Sequence, residues 1–279
     1  MNNPAEPLSV AALYAIESAS ARLASKRIAV LTGAGISTDS GIPDYRGAGK
    51  VARHPMTFDN FVGSDKARIR YWARSFVGWS RIALAEPNAG HFALAEAESN
   101  GRIEMLITQN VDGLHQRAGS QKVIDLHGRL DRVRCMSCSW VISRLEMDEL
   151  LTDLNPTVNK DINFEFTPDG DAEIEAVEGF KVPSCPKCDG ILKPDVVFFG
   201  ETVPTSTVEL AMDAVLRADA LLVAGTSLQV NSGMRFARQA HRAGKDVVIV
   251  NLGPTKADDL AIAKIEANTS QVLGALLND

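Results

Sequence analysis

The sequence predicts an α/β fold, a Rossmann-like parallel sheet with helices on both faces that carries a smaller second lobe. Short β-branched runs end in small or polar turns and alternate with helical patterns, as in a parallel sheet covered by helices. That alternation is broken twice, first by a segment with helix but no strand and then by one holding all four cysteines. The cysteines fall into two Cys-x-x-Cys pairs, Cys135/Cys138 and Cys185/Cys188. Residues 1–47, 86–133 and 193–279 are therefore assigned to the sheet domain. The smaller lobe is made of a helical insertion, 48–85, and a zinc-binding module, 134–192.

Taken in order, helical periodicity covers Val10–Ala24 and a β-branched strand covers Arg27–Thr32, ending in Gly33-Ala34-Gly35. Asp65–Ala83 is the helix of the first insertion, and Asn88 reads as the N-cap of the next, Ala89–Glu98. Strands follow at Ile103–Thr108 and Val123–Leu126. After the cysteine segment come the helix Thr207–Arg217, the strand Ala220–Gly225, the helix Gly233–Ala243, the strand Asp246–Asn251 and a last helix, Gln271–Leu277. In such a sheet, ligands gather beyond the carboxyl ends of the strands. Those ends carry Gly33-Ala34-Gly35, Gln109-Asn110-Val111-Asp112, His127-Gly128, Gly225-Thr226-Ser227 and Asn251-Leu252-Gly253, all small or polar in the main.

With 279 residues, 45% of them hydrophobic, the chain is long enough to bury a sizeable core. No apolar run approaches bilayer length, so no membrane partner is expected. The amino-terminal stretch shows neither signal-peptide nor transit-peptide character, and a cytoplasmic location is expected. The net charge of −6 argues against a nucleic-acid partner, and seven acidic residues with no Lys or Arg between Asp161 and Phe180 account for all of it. The oligomeric state is not legible.

Two Cys-x-x-Cys pairs complete one tetrahedral thiolate site, and zinc is the expected metal, although about 46 residues separate the pairs where zinc ribbons usually have 15 to 20. No fifth cysteine and no histidine lies between them to suggest an open catalytic position. Gly33-x-Gly35 after a strand suits close approach to a pyrophosphate, but it suits a merely tight turn as well. An ordinary dehydrogenase would place an acid at the end of a second strand about 20 residues further on. Here Ile42-Pro43-Asp44-Tyr45-Arg46 and a polar stretch stand instead, and Asn251 becomes the better ribose contact. His127, at a strand end, reads first as a structural histidine, with general base as the exception. Asp112 reads as a helix cap or a pocket carboxylate.

Taken together, the runs GAGISTDSGIPDYRG (33–47), TQNVDGLHQRAG (108–119), LHG (126–128), LKPDVVFFGE (192–201), GTSLQV (225–230) and NLGPT (251–255), with the cysteine pairs, resemble the sirtuin family over nearly the whole chain from Arg27. RYWARSFVGW (70–79) and the long insert look like the class II, mitochondrial sirtuin-four-like branch. The resemblance implies an NAD-dependent protein lysine deacylase that releases nicotinamide and O-acyl-ADP-ribose. A mono-ADP-ribosyltransferase shares the nicotinamide-release step and is the alternative.

The resemblance also implies roles. His127 is the catalytic base, Asn110 holds the ribose, and Asp112 with Val111 binds the nicotinamide carboxamide. Gln109 meets the ribose hydroxyls. Gly33, Ala34, Gly35, Asp44, Tyr45 and Arg46 form the cofactor loop, with Tyr45 shielding the reactive carbon. Gly225, Thr226 and Ser227 meet phosphate and ribose. Asn251, in the turn with Leu252 and Gly253, meets the adenosine ribose, and the backbone near Thr269 the adenine. Val197, Phe198 and Gly200 flank the acylated lysine peptide. Tyr71 and Arg74, three apart on a helix, share a face; they read as a packed helix segment with Arg74 in a surface ion pair or, as in the sirtuins that remove acidic acyl groups, as the pair that binds the acyl carboxylate. Zinc, on Cys135, Cys138, Cys185 and Cys188, is structural.

Overall fold

The computed structural model describes residues 7–44, 55–159 and 179–277. Helix α1 (Val10–Leu23), capped by Ser9, leads into strand β1 (Ile28–Thr32) and a 3-10 turn, Ala34–Ser40. Helices α2 (Phe58–Gly63), α3 (Asp65–Leu84) and α4 (Ala89–Ser99) follow, then β2 (Ile103–Thr108), the short α5 (Leu114–Arg117) and β3 (Val123–Asp125). Next come β4 (Gly128–Cys135), β5 (Val141–Ser143), α6 (Arg144–Leu154) and β6 (Leu192–Val196). The chain closes with α7 (Thr205–Arg217), β7 (Ala220–Ala224), α8 (Asn231–Arg242), β8 (Asp246–Val250), β9 (Ala263–Ile265) and α9 (Thr269–Leu277).

Six strands form the large sheet in the order β3-β2-β1-β7-β8-β9, every pair parallel. Successive side chains on a strand point to opposite faces, so each buried strand feeds two cores. Ile28, Val30, Leu222 and Val248 pack under α1, α4 and α9 with Leu23, Leu94 and Leu273. Ala29, Leu31, Leu221, Val223, Val247 and Ile249 pack on the opposite face with Val215 of α7 and Phe236 of α8. The chain enters the sheet at its centre, builds outwards through β2 and β3, then returns to β7 on the other side of β1. That reversal makes the carboxyl ends of β1 and β7 the switch point where such sheets open a crevice.

The second lobe has one core drawn from both insertions. Phe61, Tyr71, Trp72 and Phe76 of α2 and α3 pack with Val133, Met147, Leu151, Leu192 and Phe198. The Trp72 indole N–H donates to the Leu192 carbonyl at 3.2 Å. Arg144 of α6 is buried, donates to the Ser75 carbonyl at 3.1 Å and stacks 5.6 and 5.1 Å from the Trp72 and Trp79 rings. A buried guanidinium left unpaired would be costly, and Asp148, whose Oδ1 lies 3.2 Å from Arg144 Nη1, supplies the pairing.

An antiparallel sheet, β5-β4-β6, underlies this lobe and was not anticipated. The expected module limits at 134 and 192 fall inside its strands β4 and β6. β4 begins directly after His127 because Gly128 takes a positive φ of 77° and runs so close to β6 that a Cβ there would lie 2.1 Å from the Asp195 carbonyl oxygen. Among the described residues, no helix is long and apolar enough to cross a membrane.

Candidate active site

The turns after β1 and β7 interlock at the switch point. The Gly35 amide donates to the Gly225 carbonyl at 2.8 Å, and a Cβ on Gly225 would lie 2.3 Å from the Ile36 nitrogen. Gly225 also holds a positive φ of 64°, so both its conformation and its surroundings demand glycine. Gly33, Ala34 and Gly35 therefore open the 3-10 turn at the mouth of the crevice, beside Gly225, Thr226 and Ser227. Thr226 Oγ1 donates to Gln109 Oε1 at 2.7 Å, which ties the β7 turn to the β2 turn.

Beyond β2, two of the predicted residues, Asn110 and Asp112, converge on Ser37, which the sequence does not single out. Ser37 donates to Asp112 Oδ2 at 2.8 Å and accepts from Asn110 Nδ2 at 3.0 Å. Asp112 also accepts from the Leu114 amide at 2.9 Å. Burial raises the Asp112 carboxyl above its ordinary value, and these hydrogen bonds only partly offset it. Val111 lies beside them, half-buried against the core of the second lobe. Beneath, Thr32, Thr108 and His115 form a buried chain with contacts of 2.9 Å, and the His115 ring packs on His91 with centroids 4.8 Å apart.

His127 follows β3. Its Nδ1 lies 2.9 Å from the Gln109 carbonyl oxygen and its Nε2 lies 3.0 Å from Ser232 Oγ. A carbonyl only accepts, so Nδ1 carries the proton and Nε2 is the basic nitrogen. Burial lowers the pKa of the ring, with the Gln109 carbonyl opposing in part. The ring is thus held towards its neutral form, with its Nε2 lone pair on the Ser232 hydroxyl. The His127 carbonyl in turn accepts from the Val197 amide at 2.8 Å, so the candidate peptide segment is hung directly on the candidate base. Glu201 accepts from the Phe198 amide at 2.9 Å and from Lys193 Nζ at 3.0 Å, which fixes the turn through Gly200. Phe198 packs its ring 5.3 Å from Tyr71, and Arg74 is half-buried one turn further along α3.

The four cysteines meet in the second lobe. Their sulfurs all lie within 4.8 Å of one another, with Cys135–Cys188 at 3.4 Å and Cys138–Cys185 at 3.7 Å. That is far beyond a disulfide and near the edge of about 3.8 Å that a tetrahedron of thiolates around zinc implies. The two turns match: Ser139 and Asp189, each four residues past the first cysteine of its pair, take φ of 60° and 59° and donate their amides to the Cys135 and Cys185 carbonyls. Amides of Cys138 and Ser137 bring the Cys135 thiol down to about 6, whereas Cys188, despite the Gly190 amide, is pushed up to about 12 by its neighbouring thiols. Four sulfurs this close become thiolates together only around a cation, and the donor set fits zinc.

The model of the Sir2 family matches residues 33–232. The chain belongs to that family. It is 53% identical over 255 residues, 90% of this chain and 87% of the relative, to an NAD-dependent protein deacetylase of Xanthomonas campestris pv. campestris. A protein of the same name from Bordetella bronchiseptica is 50% identical over 258 residues, 91% of this chain and 94% of the relative. Among solved structures it resembles a Sir2 protein with a p53 peptide and NAD+ (TM-score 0.73, 33% identity, 90% of this chain and 92% of that one). It also resembles a Sir2 histidine-to-alanine mutant with a deacetylated p53 peptide and 3′-O-acetyl ADP ribose (TM-score 0.76, 31% identity, 94% and 97% covered).

The Sir2 relationship makes NAD the cofactor to test against this crevice, and the residues present fit it. Gly33, Gln109, Gly225 and Asn251 stand at the carboxyl ends of four adjacent strands, β1, β2, β7 and β8. Asn251 turns its amide nitrogen to the Leu252 and Gly253 carbonyls at 2.8 and 3.1 Å. Thr269 opens α9, and its buried hydroxyl has no partner among the described residues. Asp44 lies at the end of a described segment, while Tyr45 and Arg46 lie outside the described residues, as does nearly all of the acidic stretch. Ser37 was within reach of the sequence, being part of the GAGIS run. Ser232 carried no such signal, since it lies two residues past GTSLQV.

Proposed function

We propose that the protein is an NAD-dependent protein lysine deacylase, acting on acetyl or longer, acidic acyl groups and releasing nicotinamide and O-acyl-ADP-ribose. The observation that carries this reading is the state of His127: a ring held below its ordinary pKa by burial, its tautomer fixed by the Gln109 carbonyl, and its basic nitrogen Nε2 on the Ser232 hydroxyl. When bound, NAD supplies a ribose carbon that parts from nicotinamide and takes up the acyl oxygen. His127 then draws a proton from a ribose hydroxyl at Nε2, the task of a general base whose pKa lies near or below the working pH. Asn110, steadied by Ser37, holds the ribose. Asp112, also on Ser37, receives the nicotinamide carboxamide, and a carboxyl made easier to protonate by burial suits that partner. The peptide pairs with the backbone of Val197 and Phe198, which reads little sequence.

Acidic acyl groups are favoured by Tyr71 and Arg74. What supports this reading is the sharing of a helix face by Tyr71, whose buried ring packs on Phe198, and Arg74 one turn on, since an Arg fork suits a carboxylate through charge-assisted hydrogen bonds. The nearer affinity to the class II, mitochondrial sirtuin-four-like branch rests on residues 70–79 and on the distance between the cysteine pairs. The test is a panel of acyl-lysine peptides with NAD, read by mass spectrometry. Free lysine with O-acyl-ADP-ribose supports the reading, whereas ADP-ribose carried on a protein side chain would make the chain a mono-ADP-ribosyltransferase.

A further inference from the structure

The His127 ring is held at both nitrogens. Nδ1–H donates to the Gln109 carbonyl, so the 3.0 Å contact at Nε2 is a hydrogen bond donated by the Ser232 hydroxyl. Ser232 is the second residue of α8, reached 105 residues after His127. A serine in the first turn of a helix commonly bonds its own backbone, but this one reaches across to another element. We propose that Ser232 is a positioning residue for His127: its hydroxyl holds Nε2 in place before the reacting hydroxyl arrives, then yields that nitrogen to it. The inference rests on the reading of His127 as the base.

The contact has a chemical consequence. A donor aimed at the Nε2 lone pair stabilises the neutral ring and disfavours the imidazolium. Burial and the Gln109 carbonyl are the other influences on the ring, and no charged side chain of the β2 turn, of β6 or of α8 adds to them. Ser232 therefore keeps the base unprotonated as well as oriented. Serine also has a second capacity: once a proton sits on Nε2, the same oxygen accepts it without the ring having to turn.

The test uses the full chain with 15N-labelled imidazoles. It has five histidines, and His127→Ala assigns the one that matters. In the ligand-free parent, His127 is expected as the Nδ1–H tautomer. Ser232→Ala should raise its pKa by up to about one pH unit, the size of one neutral hydrogen bond, and Ser232→Thr should restore it. With acyl-lysine peptide, the acid limb of kcat/KM should move up with the ring in Ser232→Ala. The same variant should lose roughly three- to tenfold in kcat while the Kd for NAD holds. An unchanged ring pKa in Ser232→Ala, or a threonine variant behaving like the alanine one, would overturn the inference. If the parent shows no deacylation at all, the functional reading fails, and the NMR arm alone decides whether Ser232 governs the ring.

Discussion

At the scale of residues, the crevice depends on groups whose neighbours leave them little freedom. His127 is fixed by the Gln109 carbonyl, and Ser37 serves Asn110 and Asp112 at once. Gly225 is the sharpest case, because a positive φ and a 2.3 Å approach to the Ile36 nitrogen act on the same atom. Gly225→Ala should cost about 2–5 kcal/mol, combining backbone strain with overpacking. Urea unfolding measures it, and a variant as stable as the parent would show that the two turns do not interlock. In the sequence, Gly33-x-Gly35 suits a pyrophosphate or a merely tight turn. The structure adds a second requirement, since Gly35 is also packed against Gly225 itself.

At the scale of elements, the strands Ile103–Thr108 and Val123–Leu126 were legible because their β-branched runs end in polar turns. Helix α6 was not read, although Ser143-x-x-Glu146 is a capping box, with both hydrogen bonds formed. Strands β4, β5 and β6 are hidden because they are antiparallel, β4 pairs β6 across some 60 residues of sequence, β5 is three residues long, and Pro194 interrupts the pattern of β6. Strand β9 is only three residues long. The zinc turns connect β4 to β5 and lead into β6, so the metal joins the parts of the second lobe that the sequence leaves furthest apart. Cys185→Ser should therefore release zinc and unfold that lobe, since metal binding energy is folding energy in such modules. Elemental analysis together with limited proteolysis reads both effects, and a stable zinc-free variant would count against a structural metal. On α3, Arg74→Met should weaken activity on succinyl- or glutaryl-lysine peptides by roughly tenfold or more while sparing acetyl-lysine, as expected for one charge-assisted contact. Equal losses on both would show that Arg74 supports the fold and does not read the acyl group.

At the scale of the whole molecule, α4 and α5 bury His91 and His115 against each other beside the ends of β1 and β2. Burial lowers His91 to about 4, and His115 is lowered by burial first and by the nearness of His91 second. The sign follows from proton binding. The unfolded chain takes up protons on His91 from its ordinary value of 6.5 downwards, while the folded chain resists until about 4. Stability is therefore complete above the unfolded value and is lost as pH falls through that window. The His91 share is on the order of 3 kcal/mol between pH 7 and pH 4. Thermal unfolding across this range should show a shallower acid loss in His91→Gln than in the parent, and identical slopes would remove His91 from the account. Fold class was legible from the alternation alone. The strand order, and with it the switch point beside β1, was not, because nothing local in a strand says which neighbour it takes.

The central claim is that His127 serves an acyl transfer to NAD. It is tested most directly by incubating the protein with an acyl-lysine peptide and NAD and counting products. The account predicts one free lysine, one nicotinamide and one O-acyl-ADP-ribose per turnover, with His127→Ala still binding NAD but forming no deacylated peptide. Deacylation by His127→Ala at close to the parental rate would contradict it.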